Sequence, residues 1–265
     1  MSENVDRRIL GAFVCVDAIM DSATLPAIPV TPPPLLTPPP QWTIRSNQGG
    51  AYVIFDGPGF EPQTDDFIPS GPWPPTPATL EVALQDPSLR YLPRRAQVKA
   101  PLPVPVIPPI PATPNVFVPQ RVKLYPSAAA PYGPNWATIH ASVSKAGSNP
   151  VQGLPWAVLR VLRVSDSSVL ATGVTGPNGE ALLAVVGLTL QVNTSGGGAV
   201  TVSTTPATVT AFFDPSVIKQ PPGWIPDPDD ILNNLANPAL VVSTAQPVQL
   251  SAGLETSMSF ALTVV

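Results

Sequence analysis

Short apolar runs broken by turn residues set the rhythm of this chain, and they carry the β-branched content of strands rather than the three-to-four spacing of helices. The densest example is 150–188, PVQGLPWAVLRVLRVSDSSVLATGVTGPNGEALLAVVGL. Two runs, Trp156–Val164 and Ala181–Val186, flank a shorter one, Val169–Val174. Asp166–Ser168 separates the first pair, and Gly176-Pro177-Asn178-Gly179 separates the second. Asn-Gly tolerates the positive φ of a tight connection, and Pro177 suits the first central position of a turn. The stretch is therefore expected as a β-meander, buried in a sandwich because its strands are nearly continuous in apolar residues.

The same reading extends to the rest of the chain. Residues 9–19 (ILGAFVCVDAI) form a strand, while Pro26–Pro40 is too proline-dense for a central strand and is expected as an edge or a draped loop. Trp42–Arg45 and Ala51–Asp56 make a hairpin about Ser46–Gly50, and Thr79–Leu84 and Tyr91–Val98 are further strands. Between them Gly57–Pro77 is a Pro/Gly-rich excursion with Trp73 and the pair Asp65-Asp66. Pro101–Pro119 is the clearest connector, expected as polyproline II at about 3.1 Å per residue. In the second half, Ala137–Val143 alternates, Thr189–Val192 and Val200–Ser203 flank a Ser195–Gly198 tip, and Thr208–Phe213 is a strand. Ser257–Val265 is the last strand, with Met258, Phe260, Leu262 and Val264 on one side. One short helix is predicted after Asp227, an N-cap followed by Pro228 and acids in the first turn, ending near Asn237-Pro238.

An internal repeat organises these elements. Pro77-Ala78-Thr79-Leu80 leads to Asp86-Pro87-Ser88, and Pro206-Ala207-Thr208-Val209 leads to Asp214-Pro215-Ser216. The preceding turns are in register, because Gly50 to Pro77 and Gly179 to Pro206 are both 27 positions. Two tandem copies of one sandwich are expected, at 1–100 and 135–265, joined by a proline-rich linker at 101–134.

Pro150-Val151-Gln152-Gly153, the strand that follows, Ala171-Thr172-Gly173-Val174-Thr175 and Asn178-Gly179-Glu180-Ala181-Leu182 together resemble the carboxypeptidase regulatory-like domain over roughly 135–265. The resemblance implies a transthyretin-like, seven-stranded β-sandwich that is a non-catalytic appendage. The family usually has an aspartate before the turn, and Gly176 stands there instead. Tyr91-Leu92-Pro93-Arg94-Arg95 and Val122-Lys123-Leu124-Tyr125-Pro126-Ser127 are similar to segments of such proteins associated with phage tails and contractile injection systems. The expected class is thus all-β: two tandem transthyretin/Ig-like β-sandwiches with proline-rich extended segments and one short helix.

Composition narrows the function. The 265 residues are 44% hydrophobic and only 11% charged, with net charge −4, so neither a charge-driven disordered chain nor a basic nucleic-acid-binding face is expected. Thirty-nine prolines forbid long helices. No run approaches the roughly 18 apolar residues of a membrane helix. Ile9–Val16 after Arg7-Arg8 is too short for a secretory signal and is interrupted by Asp17, which leads to an expectation of cytoplasmic synthesis and, at most, release within a virion-like particle.

The candidate chemistry is sparse. Cys15 is the only cysteine, excluding a disulfide within the chain, and its apolar strand suits a buried thiol. His140 is the only histidine, and no second histidine or thiol cluster completes a nucleophilic or metal constellation. Asp227, Asp229 and Asp230 lack the glycine and bidentate glutamate of a calcium loop and read as helix caps. Gly196–Gly198 lacks the lysine of a phosphate loop. No catalytic residue, cofactor or metal is therefore assigned. The expectation is a structural protein of a large assembly, a phage-tail-like or contractile injection particle, fastened to other subunits by proline-rich arms. Its candidate partner-binding residues are Trp42, Trp73, Tyr91, Arg94, Arg95, Pro103, Pro105, Pro108, Pro109 and Pro111. A glycan- or receptor-binding adhesion module is the alternative, and clustered exposed aromatics would favour it.

Overall fold

A computed structural model describes residues 9–21, 28–59, 77–102, 118–188, 192–193, 201–202, 204–221 and 223–264. The chain is all-β apart from short helical turns, and it divides into two compact units. The described residues of Met1–Asp17, Asp21–Pro87 and Pro93–Leu124 form the first; those of Ala18–Met20, Ser88–Leu92 and Tyr125–Val265 form the second.

The first unit contains β1 (Gly11–Asp17), β2 (Leu35–Thr37), β3 (Thr43–Ser46), β4 (Ala51–Asp56), β5 (Ala78–Gln85), β6 (Arg94–Ala100) and β7 (Gln120–Leu124). They make a four-stranded sheet, β3-β4-β1-β7, and a three-stranded sheet, β2-β5-β6. Alternation decides which residues go inward: Leu80, Val82 and Leu84 of β5 and Ala96, Val98 and Ala100 of β6 are buried, while Glu81, Gln97 and Lys99 are exposed. Phe13 and Tyr52 face each other across β1 and β4 and stack with ring centroids 4.9 Å apart. The Tyr52 hydroxyl satisfies itself by donating to the Pro34 carbonyl.

The second unit contains β8 (Ala137–Lys145), β9 (Val158–Arg163), β10 (Val169–Val174), β11 (Glu180–Val185), β12 (Val192–Asn193), β13 (Thr201–Val202) and β14 (Thr205–Phe213). A 3-10 turn at Pro215–Lys219 and a one-turn helix, α1 (Pro228–Leu232), lead to β15 (Val241–Val242), β16 (Gln246–Leu250) and β17 (Glu255–Leu262). One sheet runs β10-β9-β14, with β15 and β16 both on the far side of β14; the other is β11-β8-β17; β12 and β13 pair separately. Ile139, Val143, Leu159, Val161, Leu183, Val209, Phe213, Phe260 and Leu262 belong to one core cluster. Each fully buried Leu, Ile, Val or Phe contributes roughly 1.5–3 kcal/mol. Alternate residues of β9 face opposite ways, so Val158 joins a second cluster with Leu92, Tyr125, Trp156, Val174 and Ile231. Both faces of β9 are buried at its start, at Val158 and Leu159, while Arg160, Leu162 and Arg163 are half-buried.

The wiring of the two units matches. In each, the first strand pairs antiparallel with the fourth and parallel with the last: β1 with β4 and β7, β8 with β11 and β17. A positive-φ glycine stands immediately before the fourth strand in both, Gly50 at 77° and Gly179 at 79°. The repeated Pro-Ala-Thr segments open β5 and β14, each an interior strand of its sheet.

The third strand is where the units differ. In the first, three prolines (Pro38–Pro40) separate β2 from β3 and preclude a tight hairpin there. Instead β3 turns into β4, with Asn47 N–H bonded to Ala51 O (2.8 Å) and Ala51 N–H to Asn47 Oδ1 (2.9 Å). In the second, Asp166 closes a turn between β9 and β10 by accepting from Ser168 N–H (3.0 Å), so β10 joins the sheet of β9. This corrects the expected meander. Gly176–Gly179 does turn tightly, Gly179 N–H donating to Gly176 O (3.0 Å). It is nevertheless a corner between sheets, because β11 pairs with β8 and not with β10.

Other expectations shift at their ends. Within 101–134, Gln120–Leu124 is β7, paired in parallel with β1. Leu102 is also buried and donates its N–H to Leu10 O (2.7 Å). The expected helix is a single turn ending at Leu232, capped as anticipated by Asp227, which accepts from Asp229 N–H at 3.0 Å. Among the described residues, no helix is long and apolar enough to cross a membrane.

Candidate functional site

Of the ten residues singled out as partner-binding, Trp42, Tyr91, Arg94 and Arg95 are described. Trp73, Pro103, Pro105, Pro108, Pro109 and Pro111 lie outside the described residues, as do Asp65, Asp66 and Gly196–Gly198. Trp42 is half-buried, with its indole laid over Gly57 so closely that a Cβ there would stand 2.4 Å from the ring. Tyr91 is buried in the second unit under the Arg90 guanidinium, which lies 5.1 Å from the ring centroid.

Arg94 and Arg95 are neighbours that alternation in β6 sends opposite ways. Arg94 is 2% exposed and donates to the Lys123 carbonyl at 2.5 Å and the Arg95 carbonyl at 3.2 Å. Arg95 points outward and pairs with Glu81 at 2.9 Å. Of these two arginines only Arg95 offers its guanidinium to solvent, so the two candidates face opposite ways. A buried cation tied to a β7 carbonyl is a fold-specifying contact. Arg94→Met should cost the first unit about 2–4 kcal/mol, since it removes charge-assisted bonds from a buried carbonyl; a urea melt checks this.

Cys15 is buried in β1, and burial pushes its thiol from an ordinary 9.0 up to about 12, against a smaller opposing pull from Arg94. Burial likewise raises the Tyr52 phenol. A group whose pKa is raised on folding contributes stability that is complete below its unfolded pKa and is lost as pH rises through the folded one. Cys15 should therefore cost the first unit about 2–3 kcal/mol between pH 9 and 11, at roughly 1.4 kcal/mol per pH unit. Urea melts across that range should show a flatter decline in Cys15→Ala. The native thiol should resist alkylation at neutral pH.

The principal polar cluster of the second unit surrounds His140. This residue lies in β8, in register with Leu182 of β11 and Ser257 of β17. Its Nε2 atom is buried 3.3 Å from Glu255 Oε1 and has no hydrogen-bond partner among the described residues. Tyr132 donates its hydroxyl to Glu255 Oε2 (3.0 Å) and meets the imidazole edge-on, ring centroids 6.1 Å apart. That hydrogen bond and the carboxylate's negative field raise the Tyr132 phenol above its ordinary range. The arrangement is a clamp: one carboxylate, half-exposed, holds a phenol from the segment before β8 and lies against an imidazole of β8 itself.

Tyr132 and Glu255 were not found by sequence reasoning. Glu255 reaches His140 through the parallel pairing of β17 with β8, a long-range contact with no local signal, and Tyr132 is held there by its bond to Glu255. No protein-family model matches the chain, and no curated protein matches it significantly.

Proposed function

We propose that this chain is a non-catalytic structural and interaction subunit of a large assembly, built from two tandem copies of one transthyretin-like β-sandwich. In this reading the units are stiff nodes, and the proline-rich stretches between and within them lie along neighbouring subunits. A phage-tail-like or contractile injection particle is the assembly that the resemblance of the Tyr91–Arg95 and Val122–Ser127 segments favours. The second unit then corresponds to a carboxypeptidase regulatory-like domain, and its seven longer strands in two sheets support that assignment.

The observation that carries the proposal is the doubled wiring, in which first, fourth and last strands pair identically in both units. Duplication of a rigid module suits a spacer or node. The chemistry-bearing side chains point the same way, since Cys15 and Arg94 are buried in the core and Asp227 caps a helix. Polyproline segments are already extended and lose little entropy on docking.

The test is to replace residues 103–117 with a Gly/Ser linker of equal length, keeping Leu102 and β7. Incorporation into the particle should be lost, while both units keep their urea midpoints. Normal incorporation would overturn the arm reading. The adhesion alternative draws on one observation, the exposed Tyr132 beside His140 and Glu255. Glycan binding abolished by Tyr132→Ala would establish it in place of the assembly role.

A further inference from the structure

We propose that β17 is a self-pairing edge: a second copy of this chain adds its own β17 antiparallel to it, joining two three-stranded sheets into one continuous sheet. The inference does not depend on the proline-rich arms. It starts from hydrogen bonds. Thr138 N–H donates to Leu254 O (3.0 Å) and Ala146 N–H to Leu262 O (2.8 Å), so the even-numbered residues of β17 face β8. Successive residues direct their backbone groups to opposite sides. Glu255, Ser257, Ser259 and Ala261 therefore turn their N–H and C=O groups outward, and all four are exposed. Among the described residues, the cover on this row is a single amide, Gln246 Nε2, which donates to Ser259 O at 3.0 Å. A carbonyl keeps a second lone pair for another donor.

An edge of this kind is normally guarded by shortness, proline, a bulge or charged side chains, lysine above all. The other edges of the two units have such guards. β2 is three residues long, and β3, β6 and β7 carry Arg45, Lys99 and Lys123. The Gln120 side-chain amide also closes both backbone groups of Lys99 in β6, at 3.0 and 2.9 Å. In the second unit β10 has a register shift at Val169/Ala171, β16 contains Pro247, and β11 is buried from Ala181 to Val185. β17 has eight residues, no proline and no register shift, and its one charge, Glu255, stands at its first residue, leaving Ser257 to Ala261 uncharged.

A second copy fits this edge better than an arbitrary strand because the row is self-compatible. Its outward side chains are Glu, Ser, Ser and Ala, small enough at the centre for close approach. In a two-fold antiparallel pairing that sets Ser257 opposite Ser259, Glu255 falls opposite Ala261 of the second copy and never opposite another Glu255. A two-fold pairing also closes, giving a dimer and not a filament.

The experiment is sedimentation of the full chain and of two double variants, Ser257→Lys with Ser259→Lys and Ser257→Glu with Ser259→Glu. The wild type should be a concentration-dependent dimer. Each variant alone should be a monomer, because like charges meet across the axis, with an unchanged circular dichroism spectrum and a single cooperative urea transition. Mixing the two variants should restore the dimer. A wild-type chain that stays monomeric, or a dimer that both variants retain, would overturn the proposal. So would a mixture that remains monomeric while both variants are folded.

Discussion

Gly179→Ala should destabilise the second unit by about 2–5 kcal/mol, a large share of the roughly 5–15 kcal/mol that holds a domain together. Two separate costs converge there. Gly179 sits at φ 79°, a region that charges an L-residue roughly 1–2 kcal/mol. A Cβ at this position would also lie 2.5 Å from Val143 O and 2.8 Å from the Gly153 Cα, a steric cost of about 1–3 kcal/mol. Neither neighbour is a flexible side chain that can swing aside. Val143 N–H is bonded to Gly179 O (2.8 Å), and Val143 O accepts from Leu154 N–H (2.8 Å). The corner between β10 and β11 is thus held backbone against backbone on β8. Gly153→Ala should be as damaging, since its Cβ would stand 2.0 Å from Asn178 O. Gly187→Ala separates the two terms: its φ is 81°, but no atom lies within 4 Å of the added Cβ. It should lose only the conformational part. Equal midpoints in urea for Gly179→Ala and Gly187→Ala would refute the close-packing argument.

Thr175→Val should cost about 2–5 kcal/mol although the two side chains have nearly the same shape. Thr175 is fully buried, and its hydroxyl donates to Leu154 O and accepts from Ala157 N–H, both at 2.8 Å. Its backbone completes the knot, N–H to Ala157 O (2.8 Å) and O from Trp156 N–H (3.0 Å). Valine leaves one donor and one acceptor buried without a partner, at about 1–3 kcal/mol each. Thr175→Ser keeps both bonds and forgoes one methyl, so its loss should be near 1 kcal/mol. If serine and valine destabilise equally, the hydroxyl is not what holds the approach to β9 in place.

Strand positions were legible wherever burial stamps a pattern. β1, β4, β5, β8, β9, β10 and β11 fall where apolar runs placed them, and the Asp227 cap was visible from side-chain chemistry alone. Partnership was not legible. The Pro177-Asn178-Gly179 turn has the residues of a hairpin, yet the pairing of β11 with β8 is settled by the Gly153–Gly179 contact, which involves residues far apart in the chain. β7 (QRVKL) and β16 (QPVQL) have only two apolar positions each, too few to stand out against their neighbours. Their strand state comes from partners already in place. Arg94 and Arg95 stood side by side as partner-binding candidates because sequence adjacency says nothing of strand phase until the register of β5 and β6 is known. The clamp around His140 was hidden for the same reason.

The account as a whole rests on the chain acting as a fastened scaffold. Gradient sedimentation of the native protein from the cells that make it, with mass spectrometry of the fraction it occupies, tests this most directly. The predicted result is a fast-sedimenting particle in which the chain appears in fixed ratio to other subunits. Recovery of the chain only as a free monomer or dimer, with no companion protein, would contradict it.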